Sequence, residues 1–489
     1  MTNAIECPRR NFVVGMAALG ICGFTRSASS AETHTLAERL AAYASALRYE
    51  DLDALAIERV KAHLIDTIGC GIAAFDERVV KSCRDLALAA GNGGATVIGT
   101  ARRTSPDLAG FANGAAFRYY DLNDTYVGGL SGHPSDHIAP VLAVAEVEKA
   151  STTELITAIA LAYEISCRLI DTFDLTTRGW DAPVFSLPAV ALASGKLMRL
   201  DAGKLAQAIS LALNDHISMG QTRAQALSDW KGLGDAEASR NAVFAAQLAR
   251  AGITGPGPIF EGRLGFFKQV SGEANVNVEA FGGHGNAFRI TKCGMKPYPA
   301  VIYAQTAIAA GVAVAQEVKE KAGSLDRIVA IEIASTRRGV QQAGSDPEKW
   351  TPNTRDTADH SLPYITARAM FEGGITNASY SFEKLTEPRI RAFMQKIKVA
   401  EDPVLTARVG ESVPTRVTAI LESGERISRE VNDVPGFPGK PMTKADVDRK
   451  FLSNVGARWP KERTDAVLQS LWALEHTEDI GALLGTLTV

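Results

Sequence analysis

The stretch Ser151–Phe173, STTELITAIALAYEISCRLIDTF, decides the fold class. Ser151 with Glu154 three residues on has the form of a capping box, so a helix starts here. Beyond the cap, apolar residues run nearly all round the helix instead of keeping to one stripe. Such a helix is buried on several sides and needs a shell of other helices.

The flanking chain supplies that shell. THTLAERLAAYASAL (33–47) repeats the capping form with Thr35 and Glu38. LAIERVKAHLIDTIGCGIAAF (55–75) places Ile57, Val60, Leu64, Ile65 and Ile68 at helical spacing. DAGKLAQAISLALNDHISMG (201–220) and EASRNAVFAAQLARAGITGPG (237–257) follow, the second ending at a Gly/Pro stop. After about residue 285 the texture changes. LDRIVAIEIAS (325–335) alternates like a strand, and TRVTAILESGERISREV (415–431) reads as two strands joined at Ser423-Gly424. SLPYITARAMFEGGI and EPRIRAFMQKIKV between them read as helices. The expected fold is mostly α. A large all-helical domain (32–285) carries a smaller α+β domain (286–440), and C-terminal helices (441–489) return to the helical part.

A chain of 489 residues is too long for one ordinary core. With 46% apolar and 22% charged residues and a formal charge of -3, it lacks the basic excess of a nucleic-acid binder. Residues 1–31 differ from the rest. Paired Arg9 and Arg10, a short apolar run and small residues up to Ala31 follow the order of a twin-arginine export signal. The expected location is periplasmic or secreted, with no membrane association once the signal is removed. Cys7 and Cys22 lie in that leader. Cys70, Cys83, Cys167 and Cys293 show no C-x-x-C spacing, which argues against an iron–sulfur cluster or structural zinc. Sequence alone does not pair them.

Chemistry concentrates in DLNDTYVGGLSGHPSDHIAPVLAVAE (121–146). Asp121, Asp124 and Thr125 fall at the end of the helix LAGFANGAAFRYY, before a GGLSG segment expected to act as a flexible hinge. Pro134 starts a new helix, with Ser135 or Asp136 as its cap. His133 stands beside that N-terminus, where it suits acid or base work on an anion. The residues alone leave two readings open: a catalytic wall, or caps around a hydrogen-bonded loop histidine. His133 and His137 have H-x-x-x-H spacing, but Pro134 puts His133 ahead of the helix, so no metal is expected. Lys231 and Lys296 each stand at a helix entrance, and Lys296 lies near the expected domain boundary, where pockets favour forming.

Five segments in order, FANGAAFRYYDLND, HPSDHIAPVLAVAE, ARAGITGPGPIFEGRLGFF, KPYPAVIYAQTAI and ADHSLPYITARAMFEGGI, resemble the MmgE/PrpD family, which includes 2-methylcitrate dehydratases and cis-aconitate decarboxylases. The resemblance implies an α+β lid on a helical domain, a homodimer, a site between the domains and no cofactor. It implies a lyase acting on a small polycarboxylate substrate. Asp121, Thr125, His133, Lys231 and Lys296 would share one cleft, with His133 as base or acid and the lysines as anion clamps. Asp121 would orient one of these groups, and Thr125 would hydrogen-bond the substrate. Arg240 and His360 join them as substrate-binding positions. One position departs from the family pattern: Asp181 in TRGWDAPVFSLP stands where a histidine is usual, and an acidic group there would repel a polycarboxylate. An epimerase or isomerase of a related dicarboxylate, or an exported carboxylate-binding protein with a degenerate site, are the alternatives.

Overall fold

The computed structural model describes residues 34–410 and 412–489. The leader expected at 1–31, with Cys7 and Cys22, lies outside the described residues. The fold is mostly α, with 59% of residues helical and 10% in strands, so the strands can form only small sheets.

Ser151 does cap its helix. Its hydroxyl accepts from the Glu154 N–H while the Glu154 carboxylate accepts from the Ser151 N–H, and Thr35 and Glu38 do the same for Leu36–Ala46. Thr152–Thr172 is buried along nearly its whole length. Around it stand Ala54–Ala73, Ile138–Val147 and Ser186–Leu197, with Pro106–Arg118, Ala202–Asn214 and Gly234–Arg250 in the next layer. Close approach is built into the sequence at Asn113-Gly114. A Cβ on Gly114 would lie 3.1 Å from the Ala236 methyl, and the Asn113 amide bonds both Ile98 N–H and Thr96 C=O.

The apolar side chains form two large cores. One draws on residues 36–295 and then on 442–487; the other occupies 300–437. The second core is built on a four-stranded sheet in the order Ile397–Glu401, Ile328–Ser335, Thr415–Leu421, Arg426–Val431. The first pair is parallel and the rest antiparallel, with Gln305–Ala322 and Leu362–Glu372 packed close by. The helix expected through EPRIRAFMQKIKV stops at Met394, and Ile397–Glu401 is an edge strand. Its alternation (Ile397 and Val399 against Lys398 and Ala400) is short, and the partner Ile328–Ser335 is remote in sequence. The pairing therefore leaves no signal local to the strand. Lys444–Val455 and Lys461–Trp472 then pack back on Ala54–Ala73.

The GGLSG segment is not a hinge. Asp124–Val127 and Ser131–Gly132 form a small hairpin, and the Gly129 N–H bonds Ile170 C=O. A Cβ on Gly129 would lie 2.8 Å from that carbonyl oxygen, and one on Gly132 2.6 Å from the Ile170 side chain. These glycines serve close packing against Thr152–Thr172, not mobility.

Candidate active site

The helix Pro106–Arg118 ends in a turn that puts Asp121 in the left-handed region, φ +52°. That conformation is uncommon for a residue with a Cβ, and aspartate is among the types that tolerate it. It places the Asp121 carboxylate between two buried cations. Arg118 binds it directly, and Lys296 Nζ reaches Oδ1 at 2.9 Å and the Asp121 carbonyl at 3.2 Å. Lys296 is held there because Gly294–Met295 pairs with Asp124–Val127, Thr125 opposite Gly294. Burial alone would raise the Asp121 carboxyl; Arg118, Lys296 and Lys231 outweigh it and hold it well below the usual carboxylate range. Burial lowers the Lys296 ammonium to about 8, although Asp121 opposes the shift.

His133 sits beside this triad. Its Nδ1 lies 2.7 Å from the Asp124 carbonyl, and Arg118 Nη2 approaches Nε2 at 2.9 Å. A carbonyl only accepts and a guanidinium only donates, so Nδ1 carries the hydrogen and the Nε2 lone pair is taken. Burial, then Arg118 and Lys296, depress this imidazole well below its ordinary value. His133 is therefore a neutral wall residue with both nitrogens engaged. Neither Ser135 nor Asp136 caps Pro134–His137: the Ser135 N–H donates to Asp124 Oδ1 at 3.0 Å, and Asp136 turns inward to accept from Asn123.

His360 differs. Its Nδ1 donates to Asp359 Oδ1 at 2.7 Å, and Lys231 Nζ holds the other Asp359 oxygen at 2.7 Å, with Asp356 at 3.5 Å. The Nε2 atom has no protein partner among the described residues, and His360 lines the cavity. Burial first, then Lys231, keep the imidazole well below its usual value, so it is neutral. Lys231 itself is fully buried behind this pair.

The cavity has a volume of about 640 Å³, and both cores contribute to its walls. Arg118, Asp121, His133, Asp181 and Arg223 come from the first part of the chain, and Lys296, Arg338 and His360 from the later part. Asp181 caps the turn Ala182–Phe185 and pairs with Arg223 Nε at 2.8 Å. Arg338 Nη2 reaches Asp174 at 2.6 Å, joining helix Arg337–Ala343 to the loop after Thr152–Thr172.

The structure thus brings Asp121, His133, Lys296, His360 and Asp181 to one cavity and sets Lys231 directly behind it. Thr125 and Arg240 are elsewhere. Thr125 donates to Gly132 C=O at 3.2 Å and lines a separate cavity of about 450 Å³, because strand pairing turns it away from its neighbour Asp124. Arg240 forks onto Glu237 one turn back on Gly234–Arg250, at 2.9 and 3.0 Å, outside the cavity. Sequence reasoning missed Arg118, Asp359, Arg223 and Arg338. Arg118 stands one helical turn before Asp121, and Asp359 precedes His360, so both left a local signal; the other two left none.

Ligating atoms of Asp121, Asp359 and His360 lie within 4.8 Å of one another. Both carboxylates already hold buried cations, Asp121 with Arg118 and Lys296, Asp359 with Lys231. A divalent ion placed there would face three positive side chains, so this donor set fits a metal poorly.

A helical body and a second α+β core thus wall one cavity, lined by Arg118, Arg223, Lys296 and Arg338 together with Asp121 and Asp181. The chain belongs to the MmgE/PrpD family, since the model of the MmgE/PrpD N-terminal domain matches residues 38–279 and that of the C-terminal domain residues 298–474. It is 26% identical to a 2-methylcitrate dehydratase of Cupriavidus necator over 86% of this chain and 90% of that one. It is 23% identical to a cis-aconitate decarboxylase of Mus musculus, over 87% and 88%. A cis-aconitate decarboxylase of Homo sapiens is 22% identical over 92% and 94%. The relatives are dehydratases and decarboxylases, and the chain is an enzyme of MmgE/PrpD type.

Proposed function

We propose that the protein is a cofactor-independent lyase acting on a small polycarboxylate at the carbon next to a carboxylate. The observation that carries this reading is the His360–Asp359 pair, whose free Nε2 shares a cavity with Lys296, Arg118 and Asp121. A substrate carboxylate docks against Lys296 and Arg118, whose positive charge stabilises the aci-carboxylate as negative charge develops. In dehydration, His360 Nε2 takes the proton from the adjacent carbon, and Asp359 stabilises the imidazolium through Nδ1–H. The hydroxyl then leaves as water with a proton from an acid in the cavity, the Lys296 ammonium being placed for it. In decarboxylation, CO2 leaves first and the carbanion takes its proton from the Lys296 ammonium. The role expected of His133 passes to His360 in this reading, because the His133 lone pair is committed to Arg118. His133 then positions Arg118. The homodimer and the periplasmic or secreted location expected from the sequence stay part of the proposal; sedimentation and cell fractionation test them.

The test is proton NMR of the purified protein in D2O with citrate, 2-methylcitrate, cis-aconitate and substituted succinates. Loss of water or CO2 from one of them is the expected result. One feature favours a second reading. Asp181 neutralises Arg223 on the far wall, which leaves fewer unpaired cations for a highly charged acid. Deuterium incorporation with neither loss would make the protein an epimerase of a less charged acid, and binding without exchange would make it a carboxylate-binding protein.

A further inference from the structure

Cys167 and Cys293 are separated by 126 residues of chain, yet their sulfurs lie 3.8 Å apart. Cys167 belongs to the central helix Thr152–Thr172, and Cys293 follows the turn Arg289–Lys292. Both are buried, and the proposed chemistry uses neither. The other described cysteines have different surroundings. Cys70 contacts Asn454 Nδ2, and Cys83 packs among Val79, Ala115 and their neighbours in a separate small cluster.

We propose that Cys167 and Cys293 form a disulfide when the chain meets an oxidising thiol–disulfide environment. A disulfide bond spans about 2 Å, so less than about 2 Å of sulfur travel closes it. Two thiols lose two protons and two electrons, one S–S bond forms, and a disulfide oxidant of the glutathione or protein type is reduced to two thiols. The export signal expected from the sequence would lead to a compartment that supplies such an oxidant. Burial pushes both thiols up, so they react sluggishly in the closed fold, and the finished bond is shielded from reductant for the same reason.

The bond would fasten a functional segment. Gly294–Met295 pairs with Asp124–Val127 directly after Cys293, and Lys296 comes next. A crosslink at Cys293 therefore pins the strand that leads into Lys296 to the central helix. This inference is independent of the proposed reaction.

The test uses the full chain refolded in a mixture of reduced and oxidised glutathione. It is unfolded without reductant, alkylated and digested. The expected result is a peptide pair joined through Cys167 and Cys293, with Cys7, Cys22, Cys70 and Cys83 outside it. Alkyl groups on both Cys167 and Cys293, or either of them joined to another cysteine, overturns the proposal. Thermal unfolding gives the second readout. Dithiothreitol should lower the midpoint of the oxidised protein by several degrees and leave the Cys167→Ser/Cys293→Ser variant unmoved. An equal response of the two proteins also overturns it, whatever the variant's own stability.

Discussion

The two cavity histidines differ in what meets Nε2, Arg118 at His133 and no described protein group at His360, and that difference makes opposite predictions. His360→Gln removes the free Nε2 and should lower kcat by about 100-fold or more with KM little changed. His133→Gln keeps a donor and an acceptor near Asp124 and Arg118, and should cost about tenfold or less. The reverse order in steady-state kinetics would return the proton-transfer role to His133. Lys296 sets a pH limit. Its value of about 8 lies below that of a free lysine, so the free enzyme loses this charge as pH rises through 8, and kcat/KM should fall there. Depressed imidazoles put the acid-side limb below the ordinary histidine range. In Lys296→Arg, whatever activity survives should show no alkaline limb near 8; an unchanged limb would assign it to another group, with buried Lys349, also about 8, the next candidate. Asp121, His133, Lys296 and His360 were legible because each sits in a short motif. The pairing of Lys231 with Asp359 was not, because a motif gives a residue's place in the chain and not the direction of its side chain.

Among the elements, those that announce themselves through local chemistry were read correctly. The capping boxes at Thr35 and Ser151 formed, and Ile328–Ser335 and the hairpin around Gly424 appeared where alternation placed them. Elements that exist only through a distant partner were not legible. Ile397–Glu401 needs Ile328–Ser335, and the Asp124–Val127 hairpin needs both Gly294–Met295 and the end of the central helix. In the sequence alone the glycines of that hairpin suggest flexibility, the usual local meaning of the residue. Their packing role is testable with Gly129→Ala. The new methyl meets two backbone oxygens, Ile170 at 2.8 Å and Phe173 at 3.0 Å, neither of which can rotate away. A loss of about 1–3 kcal/mol in urea unfolding is expected; a change under about 0.5 kcal/mol would restore the hinge reading.

At the scale of the whole molecule, the cavity depends on two cores staying in register. Arg338 is one tie, from the helix Arg337–Ala343 to Asp174, Thr176 and the Gly129 carbonyl. These bonds are partly exposed, so the tie contributes more to geometry than to stability. Arg338→Ala should raise KM by about tenfold while thermal unfolding moves little. A large drop in stability with KM intact would show that Arg338 serves the fold and not the cavity.

The helices after residue 442 close the first core against Ala54–Ala73, with Val447, Phe451 and Val455 buried in it and Lys450 bonded to Asp66 and the Leu122 carbonyl. A ribosome delivers these helices only after the whole second core. The body that holds Asp121 and His133 is therefore unfinished while the second core is being made, with its apolar flank at Ala54–Ala73 open to chaperones or to a second nascent chain. Aggregation during expression should track how fast the segment after residue 442 emerges, and a premature stop just beyond residue 440 should harm the beginning of the protein more than its middle.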